Sequence, residues 1–174
     1  NNVLTTEKIV TEISDASRRI SELIGSIKSY SHMDRAADRT KVNLLEGMHS
    51  TFTMLKHKVK VKKAQISKSF EKDFPEVCVY VSEINQVWTN LFDNALDAIP
   101  EEGKIEVRGT RQGDYVYIEV QDNGGGISEE NLEKIFDPFF TTKEVGQGTG
   151  LGLDTSKQII ARHNGRLEVT SEPG

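Results

Sequence analysis

Between residues 6 and 34, apolar side chains recur at alternating spacings of four and three: Ile9, Ile13, Ala16, Ile20, Leu23 or Ile24, Ile27 and Tyr30. The spacing predicts one long helix, with Glu12, Asp15, Arg18, Arg19, Glu22 and Lys28 on its polar face. A stripe of this period is that of a coiled coil or helical bundle. One amphipathic helix cannot bury such a face alone, so a partner is expected, either a second copy of the chain or a neighbouring helix. The polar run "DRAADRTK" (34–41) breaks the stripe and marks a domain boundary.

Beyond that boundary the period switches repeatedly. A short strand is expected around 41–44, then a helix over about 45–58. "KKAQISKSFE" and "EVCVYVS" alternate with period two and read as strands, with Pro75 in the turn between them. "SEINQVWTNLFDNALDAI" (82–99) predicts a helix with Ser82 as N-cap, stopped by Pro100. Its apolar face would comprise Ile84, Val87, Leu91, Ala95 and Ala98. "GKIEVRGTRQGDYVYIEVQDN" (103–123) reads as a hairpin turning at Gly113-Asp114, and a short helix is expected from Ser128. "LGLDTSKQIIARHNG" (151–165) predicts a helix closed by Asn164-Gly165, and "RLEVTS" a last strand. Helices interspersed with hairpins give an α+β fold, a layer of helices on a mixed sheet.

Composition narrows the function classes. The chain has 174 residues, 36% of them hydrophobic, enough for one domain core plus an accessory segment. A net charge of −5 argues against a nucleic-acid binder. Cys78 is the sole cysteine, so a disulfide framework is excluded, and its strand-like setting predicts a buried, inert thiol. No signal peptide and no 18-residue apolar run is present, so the chain is expected to be soluble and cytoplasmic, while a longer parent could still be membrane-anchored. The lysine run "KHKVKVKK" (56–63) is expected to be a solvated helix end, favoured by the helix dipole.

Four clusters carry chemistry. On the helix 82–99, Asn90, Asn94 and Asp97 fall on one side beside the apolar face, and amide oxygens there suit a hard, partly hydrated Mg²⁺ shared with phosphate. In "DNGGGIS" (122–128), Asp122 ends an apolar strand and can only accept hydrogen bonds, as an adenine amine requires, while Gly124 and Gly126 let backbone approach a flat base. A plain turn would use the same residues. "FDPFFTTK" (136–143) holds Phe136, Phe139 and Phe140, either core or a hydrophobic latch with packing the default for Phe136, followed by the hydroxyls of Thr141 and Thr142 and the charge of Lys143. "GQGTGLGL" (146–153) opens into a helix whose free N-terminal amides suit an anion. It has neither Rossmann spacing nor the lysine of a Walker A loop.

In this order the strings "NQVWTNLFDNALDAI", "DNGGGI", "FDPFFTTK" and "GTGLGL" resemble the N, G1, F and G2 boxes of the catalytic ATP-binding domain of sensor histidine kinases. "NALDAIP" with "FFTTK" looks most like the nitrogen-regulator-like subgroup. The resemblance covers roughly 41–174, and 6–34 looks like the second helix of the family's dimerisation and phosphotransfer hairpin. It implies a two-layer α/β sandwich, with residues 1–36 a partial hairpin domain and 37–174 the catalytic domain. It also implies that Asn94 coordinates Mg²⁺, that Asn90 contacts the phosphates and that Asp122 takes the adenine amine, with Gly124 and Gly126 shaping the base pocket. Lys143 would sit on a mobile lid near the phosphates. Gly148, Thr149, Gly150, Leu151 and Gly152 would fold that lid over the triphosphate. A homodimer through the N-terminal helix and a response-regulator receiver domain are the partners implied.

Two departures stand out. None of His32, His49, His57 and His163 has the acidic neighbour of the family's phosphoacceptor motif, so each is expected to be a surface or packing histidine. The chain also ends at "SEPG", where the family continues into a closing strand, so a piece trimmed at both ends is expected. Hydrolytic relatives of the same superfamily place a glutamate base where this chain has Asn90, which favours transfer to a histidine over attack by water. A serine-directed anti-sigma-type kinase and a non-catalytic ATP-binding interaction module are the rival readings.

Overall fold

The computed structural model describes residues 38–144 and 148–172. The stripe over 6–34 and His32 lie outside them. Strand β1 (Thr40–Val42) pairs antiparallel with β3 (Val77–Val79). Between them, α1 (Leu44–Met54) begins at Asn43, whose side chain accepts the Leu45 N–H at 3.0 Å. The helix expected over 45–58 is two helices, because the backbone at Leu55 leaves helical geometry before α2 (Lys56–Lys62) resumes it. That break turns the lysine run back toward the protein.

Strand β2 (Gln65–Phe70) lies parallel to β4 (Lys104–Gln112), and β4 is antiparallel to β5 (Tyr115–Asp122), giving the mixed order β2-β4-β5. The hairpin turns at Gly113, φ +62°, as its sequence anticipates. Ile105 and Val107 of β4 are fully buried while Lys104 and Arg108, on either side of that pair, are exposed, so one face of the sheet carries the core.

Helix α3 (Val81–Ala98) is the centre of the helical layer and packs on α1, on β5 and on α5 (Gly152–Arg162). With neighbours on several sides it buries a wider arc than one stripe: Ile84, Val87, Trp88, Phe92, Ala95 and Leu96. Leu91 is only half-buried and Ala98 is exposed, contrary to the expected face. Phe92 stacks on Phe52 with ring centroids 4.1 Å apart. Burying such rings dominates the energetics of a core this size.

Several local expectations need correction. Helix α3 starts at Val81, with Tyr80 rather than Ser82 at the N-cap position, because β3 runs almost directly into it. The Tyr80 N–H donates to Nε2 of His163 at 3.0 Å, and Nδ1 of that ring lies 2.8 Å from the Ile159 carbonyl, so His163 is a packing histidine as expected. Cys78 is exposed, since its neighbours Val77 and Val79 are the β3 side chains that turn to the core. "RLEVTS" keeps its alternation, with Leu167 and Val169 half-buried, but forms no strand. Its side chains find a face, yet among the described residues no backbone ladder receives it. The short helix α4 (Glu129–Leu132) follows Ser128. Among the described residues no helix is long and apolar enough to cross a membrane.

Candidate functional site

One edge of α3 carries Asn90, Asn94, Asp97 and Ala98, at offsets of four, seven and eight that helical geometry stacks on one side. Each rung of this edge meets a different one of the other sequence clusters.

At the first rung, the Asn90 amide donates to the Gly152 carbonyl at 2.9 Å and to Ser156 Oγ at 3.1 Å. Ser156 is fully buried and itself donates to the Gly152 carbonyl at 2.8 Å. Asn90 thus ties the middle of α3 to the first turn of α5. A Cβ on Gly152 would sit 3.5 Å from the Asn90 side chain, an ordinary contact. Helix α5 begins without a side-chain cap, which leaves its opening to backbone groups alone.

At the second rung, Asn94 Oδ1 accepts a hydrogen bond from the Lys143 ammonium at 3.1 Å. Lys143 also pairs with Asp97 Oδ2 at 2.6 Å. The other oxygen of Asp97 pairs with Lys58 at 2.7 Å, and Lys58 reaches Asp93 at 2.5 Å. Burial alone would raise the Asp97 carboxyl, but hydrogen bonds from Lys143 and Lys58, with their charges, hold it below the usual carboxylate range. Burial opposes the charge of Lys58 in the same way, and its hydrogen bonds to Asp93 and Asp97 leave it raised. Both groups are therefore charged at neutral pH. The lysine run is only in part the solvated helix end expected: Lys60 and Lys62 do sit in the last turn, but Lys58 belongs to this cluster.

At the third rung, Ala98 meets the glycine loop. A Cβ on Gly124 would come within 2.7 Å of the Ala98 carbonyl oxygen, so only glycine lets β5 end so close to α3. The Gly124 N–H donates to Asp122 Oδ1 at 2.8 Å, and Asn123 Oδ1 accepts the Lys104 N–H at 2.6 Å. These bonds pin the loop with Asp122 exposed at the end of its strand. Gly126 has φ +71°, whereas nothing lies within 4 Å of a Cβ on Gly125.

The remaining two clusters interlock. The Phe139 N–H donates to the Gly150 carbonyl at 2.9 Å, and Gly150 has φ +68° with the carbonyls of Phe139 and Phe140 where a Cβ would stand. A Cβ on Gly148 would lie 3.0 Å from Thr141 Oγ1 and 3.1 Å from the Lys143 stem. Thr149 and Leu151 are half-buried in the same crossing. Phe136 packs as expected, with the Lys157 ammonium 4.6 Å over its ring, and Phe139 is exposed.

An Mg²⁺ ion fits the donor set on an observation independent of any relative: Asn94 Oδ1 already faces a positive charge, the Lys143 ammonium, beside the carboxylate of Asp97. Sequence reasoning missed Lys58 and Ser156 here. Ser156 had a weak signal, one helical turn after Gly152, and Lys58 had none.

A family model described as histidine kinase-, DNA gyrase B- and HSP90-like ATPase matches residues 80–174, more than half of the chain and all four strings. The chain belongs to this ATPase family. As a histidine-kinase-like ATPase domain it has curated relatives among sensor kinases. The sensor kinase CckA of Brucella abortus is 34% identical over 95% of the chain, which spans only 19% of that relative. Among solved structures, the nucleotide-free catalytic domain of histidine kinase ThkA is 34% identical, with a TM-score of 0.65 over 72% of this chain and 81% of that one. ThkA in complex with the response regulator protein TrrA is also similar, 27% identical with a TM-score of 0.66 over 86% of this chain and 43% of that one. Membership in an ATPase family implies ATP binding. The resemblance read from the four strings and the α/β fold it implied are borne out, while nothing among these relatives singles out the nitrogen-regulator-like subgroup.

Proposed function

We propose that this chain binds Mg-ATP and transfers the γ-phosphoryl group to a histidine carried by a helical hairpin, as the catalytic part of a two-component sensor kinase. The observation that supports this best is the single edge of α3, where Asn90 meets the G2 helix, Asn94 meets Lys143 and Ala98 meets Gly124. One ligand lying along that edge would touch the base loop at one end and the helix opening at the other.

In this reading Asp122 accepts the adenine amine, with Gly124 and Gly126 forming the wall of the base pocket. The phosphates run toward Asn90, Lys143 and the backbone of 148–152, where α5 offers uncapped N–H groups. Asn94 would hold Mg²⁺, which when bound offsets charge on the phosphate oxygens.

Transfer is favoured over hydrolysis by what occupies position 90. An amide has no useful basicity, and its nitrogen is committed to Gly152 and Ser156. Water would find no base there. A neutral imidazole needs none: its nitrogen forms the N–P bond as the bond to the β,γ-bridging oxygen breaks and ADP departs, with Lys143 near the leaving charge. His163 is not the acceptor, since both its ring nitrogens are engaged in packing. The acceptor belongs to the hairpin whose second helix would be 6–34, within residues 1–36, with 37–174 as the catalytic domain. Dimerisation through that helix and a response-regulator receiver domain as partner, by likeness to ThkA, complete the proposal. In this reading the domain works in the cytoplasm, whether or not a longer parent is anchored in a membrane.

Equilibrium titration with ATP and GTP, with and without Mg²⁺, tests the binding half. ATP should bind more tightly than GTP, Mg²⁺ should strengthen it, and Asp122→Ala should abolish the preference for adenine. Equal affinity for the two nucleotides would sink the assignment of Asp122.

A further inference from the structure

The four boxes leave one ionic arrangement unused. The Asp97 carboxylate is shared between two lysines from distant segments, Lys58 of α2 on Oδ1 at 2.7 Å and Lys143 of the phenylalanine-rich loop on Oδ2 at 2.6 Å. Lys58 makes its second bond to Asp93, one turn earlier on the same helix. All of these side chains are partly buried, Asp97 and Lys143 at 28% and 29% exposure. We propose that Lys58 and Asp97 are positioning residues for Lys143: Lys58 fixes the carboxylate plane, and the fixed carboxylate holds the Lys143 ammonium beside Asn94. The proposal rests on Lys143 serving the phosphates, as above.

Geometry explains why both partners are needed. An aspartate carboxylate, free to turn about χ1 and χ2, can present its oxygens in many directions, and holding a long lysine in one place has an entropic cost. Two charge-assisted bonds to opposite oxygens remove that freedom. Lys58 is well suited to the task because α2 is itself anchored, by the Lys62 ammonium on the Ile99 carbonyl at 2.7 Å. The two lysines and two aspartates also cancel in charge, so the cluster places a directed ammonium next to the phosphate path without a net field of its own. A polyphosphate then competes with Asp97 for Lys143 rather than recruiting the lysine from solvent.

Lys58 lies far from the phenylalanine-rich loop in sequence and is linked to it through Asp97, which Lys143 of that loop also holds. That separation makes the test sharp. Hydrogen exchange of residues 139–144 is measured in the nucleotide-free protein for wild type, Lys58→Met, Lys58→Arg, Asp97→Asn and the Lys58→Met/Asp97→Asn double variant, with unfolding midpoints recorded for each. Lys58→Met should speed exchange there by roughly two- to fivefold, the range of a single ion pair. Lys58→Arg should restore protection, and the double variant should be no worse than Asp97→Asn alone. Unchanged exchange in Lys58→Met, or additive effects in the double variant, would overturn the proposal. If the wild type fails to bind ATP, the nucleotide reading falls while these exchange results still judge the Lys58–Asp97–Lys143 bridge on their own.

Discussion

The side-chain amide of Asn90 donates to the backbone carbonyl of Gly152, 62 residues further along the chain, and to the hydroxyl of the fully buried Ser156. This bond fixes where α5 begins relative to α3, with its uncapped first turn against Asn90. Asn90→Ala should lower the free energy of unfolding by about 1–3 kcal/mol, because polar groups buried at the crossing lose their donor. Urea denaturation of the variant checks this. ATP affinity should fall with it, since the helix opening loses its anchor. A variant as stable as the parent would mean that the crossing is held by apolar packing alone.

Three glycines should separate cleanly on replacement by alanine. Gly150 combines φ +68° with carbonyls at 2.4–2.6 Å from the would-be Cβ, so both strain and overlap oppose the change. A cost of about 2–4 kcal/mol is expected, with loss of nucleotide binding. Gly124→Ala should push the loop off Ala98 and weaken ATP more than it weakens the fold. Gly125→Ala meets nothing within 4 Å and should be neutral in both assays.

Asn94→Ala should leave the fold intact and remove most of the dependence of ATP affinity on Mg²⁺. The lost amide oxygen is the one that Lys143 now occupies, so the vacated ammonium has only Asp97 to hold it. Isothermal titration with and without Mg²⁺ reads this directly. An undiminished Mg²⁺ effect would reassign the metal-binding oxygen.

Cys78 should react with a maleimide in the native protein, to one label per chain and without denaturant, because its side chain lies on the open face of β3. A thiol that labels only after unfolding would contradict the pairing of β1 with β3.

What the sequence disclosed follows the reach of each signal. Asp122, Gly124 and Gly126 lie in one loop, and Asn90 and Asn94 one turn apart on a helix, so spacing alone groups them. The α3 face was misread at Trp88, Phe92 and Leu96, since a single-stripe template cannot anticipate a helix covered on several sides. Cys78 was misread for the converse reason, because a short apolar strand looks two-sided until its sheet proves to have two strands. The Asn43 cap is legible locally, with Asn before an apolar run and Glu46 three residues on. Lys58 was not legible at all: its partners lie 35 and 39 residues away, and nothing local distinguishes it from the other lysines of its run.

The central claim, that bound ATP is used for transfer to histidine and not for hydrolysis, is tested by incubating the chain with γ-labelled ATP, alone and with a separate helical hairpin bearing an acceptor histidine. The account predicts negligible phosphate release by the chain alone, and acid-labile, alkali-stable label on the hairpin when both are present. Rapid multiple-turnover release of phosphate by the chain alone, or tight ATP binding with no label on the hairpin, would contradict it.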